Sequence, residues 1–274
     1  DKYVDKFVIT EANYMHNGEP KKLLFNINNF PKFKDKIIYI AIEEFPPDII
    51  KINDYDSLKI KQSKMIDNAK KREMYQINKT YDVIKTAEPN DIIIISDLDE
   101  IPNLKKVNFK SINQKLIFFK QEMFYYKLNL LYESFPWFGS KACVKKFFKT
   151  PEWLRSIKNK KYPLWRLDTF FSEKKYSDIY YVVDGGWHFT NIKKPKDLEK
   201  KLLSFLHHVD YENSGLKLQD LETLMKEKRV MYDHSLDKRM SKWGQGKKLS
   251  TVEIDGMPEY IKNNVNKYKL WLDV

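Results

Sequence analysis

The most constraining feature of the sequence is the stretch Asp91–Pro102, in which a run of isoleucines ends in a cluster of acids. Four consecutive isoleucines follow a Pro-Asn-Asp turn, a pattern typical of a strand buried on both faces in the middle of a parallel sheet. Pro102 cannot donate to a strand ladder and therefore limits the strand. Because alternate side chains of a strand point the same way, Asp97 and Asp99 are predicted to share one side of its carboxyl end.

The acids at the end of this strand indicate a metal site. Open α/β sheets bind ligands beyond the carboxyl ends of their strands. Two neighbouring carboxylates repel each other unless a cation lies between them, and their hard oxygens suit Mg²⁺ or Mn²⁺. The simpler interpretation is a strand followed by a polar loop, since Asp-x-Asp alone is common. The isoleucine run in front of Asp97 and Asp99 favours the metal site.

The flanking sequence predicts an α/β protein whose first part contains a parallel sheet. Strands over 3–10 and 36–42 precede a helix over 64–86, and the long connections are those of parallel strands. Short strands rich in aromatic residues then follow with few helices between them, which indicates an antiparallel or mixed extension of the sheet. These strands are predicted over 116–126, 128–132, 142–148 and 179–183. Helices are predicted from Pro195, over 216–228 and within 260–271.

The predicted helix over 64–86 carries an unusual acid. Glu73 falls on the same face as the apolar residues Ile66, Ala69 and Ile77. A buried carboxylate needs a partner, which is either a ligand or a distant residue of the chain. Its neighbour Arg72 is expected to point elsewhere, since adjacent helix positions do not face each other.

A second polar motif lies at residues 184–189, with the sequence Asp-Gly-Gly-Trp-His-Phe. Paired glycines beside a strand indicate a close backbone approach or unusual dihedral angles. His188 is by residue type a structural histidine, but it becomes a candidate third metal ligand beside two carboxylates. The tryptophans of this half are more typical of a core, although exposed aromatic faces also bind sugars.

Composition narrows the class of protein. A single cysteine, Cys143, excludes an intramolecular disulfide, and no apolar run is long enough to span a membrane. The net charge of +12 favours polyanionic partners or an anionic membrane face. The lysines are dispersed among acids, however, and no nucleic-acid motif is present, so a solvated basic surface is favoured.

Five segments of the sequence form a pattern in a fixed order and spacing: Phe7–Asn13, Gly18–Lys21, Phe45–Pro47, Asp91–Pro102 and Gly186–His188. In this order and spacing they resemble glycosyltransferase family 17, which includes β-1,4-mannosyl-glycoprotein 4-β-N-acetylglucosaminyltransferases. The resemblance covers about residues 1–232.

This resemblance implies a GT-A-like fold with a Rossmann-type, mostly parallel central sheet, and a metal-dependent inverting transferase that uses UDP-GlcNAc and a glycan acceptor. It implies Mn²⁺ or Mg²⁺ held by Asp97, Asp99 and His188, where the metal neutralises the departing diphosphate. A carboxylate would deprotonate the acceptor hydroxyl, and Glu100 and Asp184 are the candidates. The residues implied in donor binding are Glu11, Asn13, Lys21, Arg72, Glu73, Gln76 and Asp97.

The resemblance also implies one domain over 1–274, with a nucleotide-sugar half over about 1–102 and an acceptor half over about 103–274. The family's first strand is expected to be missing from the N-terminus. No signal peptide or anchor is evident. A Lys-, Asn- and Ile-rich composition points to a microbial or viral protein of the cytoplasm, with no nucleic-acid partner and peripheral membrane contact left open.

Two other functions compete with this interpretation. A haloacid-dehalogenase-like phosphatase also has a strand ending in Asp-x-Asp, but Ile101 stands where that class requires Thr or Val. A non-catalytic basic module that binds polyanions would leave the acids from Asp97 to Glu100 unexplained.

Overall fold

The computed structural model describes residues 2–133, 135–160, 162–163, 165–169, 171–205, 208–236, 242–244 and 246–273. The chain divides into two compact units. The first comprises residues 1–91, 149–152 and 200–213, and the second comprises 92–148, 153–199 and 214–274. The prediction of a single domain with a division near residue 102 remains a prediction.

The first unit is built on a parallel strand pair. Strands β1 (Phe7–Ala12) and β2 (Ile37–Ile42) run side by side, with Phe7 opposite Ile37 and Ala12 opposite Ile42. Ala12, Tyr14 and Ile42 form a small buried core at their carboxyl ends, against which Tyr75 packs. The predicted strand over 36–42 is confirmed, whereas the first strand begins later than predicted.

Helix α1 (Leu58–Asn78) covers this pair and differs from the predicted helix. It begins earlier because the Ser57 hydroxyl caps the N–H of Ile60, and a separate short helix, α2 (Tyr81–Ile84), follows it. The buried positions of α1 are Asn68, Ala69 and Arg72. The prediction that Glu73 is the buried charge of this helix is therefore wrong: Arg72 is 9% exposed, whereas Glu73 is half-buried.

The second unit contains a mixed seven-stranded sheet. Its strand order is β3-β7-β5-β6-β9, while β8 pairs with β5 in parallel and with β4 in antiparallel orientation. The remaining pairs are antiparallel. These strands are β3 (Ile92–Ile95), β4 (Glu100–Pro102), β5 (Leu116–Tyr125), β6 (Leu130–Leu131), β7 (Lys141–Val144), β8 (Ile179–Thr190) and β9 (Ser250–Thr251).

The isoleucine strand is not the centre of a parallel sheet. β3 pairs antiparallel with β7, and its four residues are partly rather than fully buried. β5 is buried on both faces: Leu116 and Phe118 enter one core cluster, and Ile117 and Phe119 enter another. The second unit therefore does not contain a mostly parallel central sheet. The sequence could not predict this, because hydrophobic periodicity indicates burial but not the direction of a neighbouring strand.

The helices predicted in the C-terminal half are confirmed near Pro195 and over 216–228. In the described part of the chain, no helix is long and apolar enough to cross a membrane. The remaining helices are α3 (Pro151–Ser156), α4 (Pro195–Ser204), α5 (His208–Ser214), α6 (Leu218–Lys226), α7 (Glu259–Lys262) and α8 (Val265–Tyr268). Short 3₁₀ turns occur at Ile27–Asn29, Pro31–Lys36, Leu104–Lys106, Phe109–Ser111, Lys145–Phe147, Leu167–Thr169, Ile254–Gly256 and Lys269–Trp271.

Candidate active site

Asp97 and Asp99 lie in the turn between β3 and β4 rather than on the strand itself. The prediction that strand alternation aligns them is therefore wrong. The turn is closed by two hydrogen bonds: the Glu100 N–H donates to the Asp97 carbonyl at 3.0 Å, and the Asp97 N–H donates to Glu100 Oε2 at 3.0 Å. Leu98 projects from its tip with 99% of its surface exposed. We call residues 97–100 the acidic turn.

The carboxylate of Glu100 is buried beneath the acidic turn, with the residue 4% exposed. The indole N–H of Trp137 donates to Oε1 at 2.6 Å, and the hydroxyl of Ser140 donates to Oε2 at 3.3 Å. Burial, followed by the charge of Asp97, raises the pKa of Glu100 above its ordinary value despite these hydrogen bonds. Both oxygens are thus occupied by donors of the protein.

His188 lies opposite Glu100 where β8 pairs with β4. Its Nε2 is 3.5 Å from Oδ1 of Asp99, and its ring stacks on that of Trp137 with centroids 4.6 Å apart and an interplanar angle of 23°. Nδ1 is buried and has no hydrogen-bond partner among the residues that the structure describes. An imidazole nitrogen directed at a carboxylate is an arrangement that can bind a divalent cation.

Asp97 is held from the other side by a cation. Arg155 Nη2 donates to Asp97 Oδ2 at 2.6 Å, with the two side chains 22% and 38% exposed. Below this pair the buried Lys141 donates to the carbonyls of Arg155 and Ile157, at the end of α3. Burial, with a smaller effect of Arg155, lowers the pKa of Lys141 to about 8.

Asp184 lies on a different feature of the second unit, a half-open cavity of about 300 Å³. Glu122, Glu133 and Phe135 also line this cavity. Asp184 is exposed and has a φ of 52° at an irregularity where β8 pairs with β5. Burial and the nearby charge of Asp184 raise the pKa of Glu122.

In the first unit, Glu11 and Lys21 bind each other. Glu11 accepts from Lys21 Nζ at 2.9 Å, from Tyr39 Oη at 3.1 Å, and from the N–H groups of Leu24 and Phe25 at 2.9 Å each. Partial burial acts to raise its pKa, but these donors outweigh burial and lower the pKa to about 2. Glu11 is thus an ionised clamp on the segment Lys21–Phe25.

The other predicted donor-binding residues of the first unit lie at or near the carboxyl ends of its strands and along α1. The Asn13 N–H donates a hydrogen bond to the Ile42 carbonyl, and the Asn13 carbonyl accepts one from the Lys21 N–H. The Gln76 side chain donates to the Thr10 carbonyl at 3.0 Å. Arg72 donates to the His16 carbonyl at 2.9 Å and lies over the ring of Phe45. Glu73 is half-buried on the same helix.

The sequence was compared with known families and proteins. The sequence model of glycosyltransferase family 17 matches residues 1–273. The chain belongs to glycosyltransferase family 17. Neither the curated proteins nor the solved structures yielded a match. Membership makes the chain a glycosyltransferase, which requires a sugar donor and an acceptor.

The structure brings together two of the three residues predicted as metal ligands. Asp99 and His188 face each other, whereas Asp97 pairs with Arg155. Within the described ranges, no group of three or more histidine, cysteine, aspartate or glutamate residues is placed to hold a metal ion. The two facing groups fit a hard or borderline divalent cation that takes its other ligands from the substrate and water.

Three residues of the candidate site have no local signal in the sequence: Trp137, Ser140 and Arg155. The hydrogen bond between Trp137 and Glu100 joins residues 37 positions apart in the sequence, and that between Arg155 and Asp97 joins residues 58 positions apart. A local sequence pattern cannot predict contacts between residues so far apart. The one signal for Arg155 is that it is an arginine in a lysine-rich chain, since the planar guanidinium is suited to pairing with a carboxylate.

Proposed function

We propose that this chain is a metal-dependent, inverting glycosyltransferase that transfers N-acetylglucosamine from UDP-GlcNAc to a hydroxyl of a glycan. The observation that carries the proposal is His188 Nε2 at 3.5 Å from Asp99 Oδ1. A transferase that uses a nucleotide sugar has to stabilise the departing nucleotide, and an imidazole nitrogen close to a carboxylate oxygen is a suitable pair of ligands for a cation that does so. The donor sugar is inferred from the family resemblance.

Asp99 and His188 are proposed to hold Mn²⁺ or Mg²⁺, with Asp97 contributing to the donor or to the metal. The bound cation would neutralise the negative charge of the leaving diphosphate. Asp97 needs its orientation fixed for either role, and Arg155 provides this through the 2.6 Å hydrogen bond. The buried Lys141 in turn fixes the backbone of Arg155.

Arg72 is the strongest donor-binding candidate of the first unit. The residue is 9% exposed, and within the described residues its guanidinium has a carbonyl and an aromatic ring as neighbours but no carboxylate. A buried cation without a counter-charge favours an anionic ligand. Glu11 and Lys21 are proposed to act by shaping the segment Lys21–Phe25, while Asn13, Glu73 and Gln76 remain candidates for direct contact.

Of the two candidate bases, solvent access favours Asp184. Glu100 is buried and its oxygens accept hydrogen bonds from Trp137, Ser140 and Asp97, whereas Asp184 is exposed on the cavity. In the proposed reaction the acceptor oxygen bonds to the anomeric carbon as its proton passes to the Asp184 carboxylate. The bond from the anomeric carbon to the diphosphate oxygen breaks on the opposite face, which inverts the configuration.

The test is a screen of nucleotide sugars with Mn²⁺, scored by release of the nucleoside diphosphate. We expect UDP-GlcNAc to be turned over and the substitution Asp99→Asn to abolish turnover without changing the unfolding midpoint. Asp82→Asn, on the exposed end of an ion pair with Lys85, is the matched control and should retain activity. If no nucleotide sugar is turned over or shifts the unfolding temperature, the proposal is wrong.

The family match also bears on the two competing functions. A phosphatase would release phosphate from an aryl phosphate, and a polyanion-binding module would bind in a salt-sensitive manner independent of Asp99. Membership in a glycosyltransferase family favours neither of these functions.

A further inference from the structure

Trp137 contacts one proposed metal ligand, His188, and also Glu100, the residue that closes the acidic turn. Its indole N–H donates to Glu100 Oε1 at 2.6 Å, and its ring stacks on His188 with centroids 4.6 Å apart. The two contacts use different parts of the side chain: the N–H edge binds the carboxylate and the ring face orients the imidazole. Trp137 thereby contacts both the residue that follows Asp99 in the sequence, Glu100, and the histidine that faces Asp99, His188.

The contact with Glu100 extends to the acidic turn. Oε2 of the same carboxylate accepts the N–H of Asp97 at 3.0 Å, and the Glu100 N–H donates to the Asp97 carbonyl. Glu100 therefore closes the turn with both its side chain and its backbone. Rotation of the carboxylate away from Trp137 would also remove the acceptor of the Asp97 N–H.

The space around this carboxylate requires glycine at position 139. A Cβ atom there would lie 1.6 Å from Glu100 Oε1 and 2.2 Å from Trp137 Nε1. Even alanine would separate the two groups, since real Cβ atoms do not approach other atoms so closely. Gly139 thus permits the bond between Trp137 and Glu100.

We propose that Trp137 is a positioning residue that sets the acidic turn through Glu100 and the imidazole plane through His188, so that Asp99 and His188 are held ready for a divalent cation. The inference rests on the proposed function, because it assigns the metal to Asp99 and His188. Glu100 then has a positioning role as the link between Trp137 and Asp97. This explains why a buried glutamate follows Asp99 directly.

The expected effect is on metal affinity rather than on folding. Groups that orient metal ligands through hydrogen bonds change affinity by about 10- to 100-fold when they are removed. Trp137→Phe keeps a ring for His188 but removes the N–H donor, so we expect Mn²⁺ to bind about tenfold more weakly. Gly139→Ala should break the same hydrogen bond by placing a methyl group between the two side chains, and should weaken Mn²⁺ binding by a similar factor.

The experiment is a Mn²⁺ titration followed by electron paramagnetic resonance, which measures free Mn²⁺ without catalysis. The proteins are the wild type, Trp137→Phe, Gly139→Ala and the double variant. Trp165→Phe is the matched control, because Trp165 is 76% exposed. Mn²⁺ quenching of tryptophan fluorescence gives a second readout, which should shrink in Trp137→Phe and remain in Trp165→Phe. Urea unfolding checks that each variant is folded.

The proposal is supported if Trp137→Phe and Gly139→Ala each weaken Mn²⁺ binding and the double variant is no weaker than either, as expected for a single shared path. It is overturned if folded Trp137→Phe binds Mn²⁺ as the wild type does, even when its unfolding midpoint falls. If Gly139→Ala does not fold, Trp137→Phe alone decides the matter. A wild type that binds Mn²⁺ neither alone nor with UDP would reject the metal assignment, and the positioning role with it.

Discussion

Arg155 Nη2 lies 2.6 Å from Oδ2 of Asp97, which places a cation directly on the first acid of the acidic turn. The pair is half-exposed, with 38% of the Asp97 side chain accessible, so it contributes little to stability. We expect the pair to act on the orientation of Asp97 instead, because a planar guanidinium fixes a carboxylate more rigidly than an ammonium does.

We predict that Arg155→Gln lowers kcat/KM for the nucleotide sugar by about tenfold, while the free energy of unfolding changes by less than about 1 kcal/mol. Arg155→Lys should recover part of the loss, because it restores charge but not the fork. The matched control is Arg166→Gln, which breaks an Arg–Asp pair of similar exposure with Asp168. Equal losses in the two Gln variants would contradict a specific role for Arg155.

The clamp at Glu11 predicts how the chain responds to acid. Folding lowers the pKa of this carboxyl from its ordinary 4.5 to about 2. The folded state therefore binds the proton more weakly, and Glu11 stabilises it above pH 4.5 and loses this contribution as the pH falls towards 2. The window of lost stability lies between these two pH values.

Replacing Glu11 by Gln should cost roughly 2 kcal/mol at pH 7, because several donors lose a charged acceptor. The difference from the wild type should narrow as the pH is lowered below 4.5. Urea unfolding at pH 7 and pH 3 measures both quantities. Glu44→Gln is the control: the Glu44 side chain is 57% exposed, and solvent screening should make its loss smaller. A constant difference at both pH values would show that Glu11 is not ionised as inferred.

Gly186, where β8 pairs with β4, has no room for a side chain. Its φ is +126°, and a Cβ atom would lie 2.0 Å from the carbonyl oxygen of Ile101. Gly186→Ala should lower the free energy of unfolding by about 3 kcal/mol or more, since strain and a backbone clash coincide. Gly256→Ala meets no atom within 4 Å and should be nearly neutral. Similar midpoints for the two variants in urea would refute the close approach.

The sequence predicted the features that depend on local pattern. The strand near Ile37–Ile42, the strand near Leu116–Tyr125 and the helix that begins at Pro195 all follow from periodicity and turn residues. The paired glycines correctly indicated a close backbone approach, as Gly186 shows. These signals are contained within a few neighbouring residues.

What the sequence could not provide was the identity of distant partners. The isoleucine run shows that β3 packs against apolar groups but not that its neighbour β7 is antiparallel. The inward face of α1 differs from the predicted one because tertiary packing buries Arg72, and periodicity alone does not reveal the N-cap at Ser57 where the helix starts. Glu100 was assigned as a base from its position in a motif, while its burial against Trp137 emerges from the folded sheet.

Cys143 offers a direct probe of the sheet in the second unit. It lies in β7 opposite Ile93 of β3, is fully buried, and has its pKa raised to about 12 by burial. Thiolate is the reactive form, so the folded chain should resist a thiol reagent at pH 8, and denaturant should expose one reactive thiol. The labelling rate in increasing urea should follow unfolding of the second unit measured by tryptophan fluorescence. Rapid labelling of the native chain would show that the pairing of β3 with β7 opens readily, and that the acidic turn which follows β3 is not held rigidly from that side.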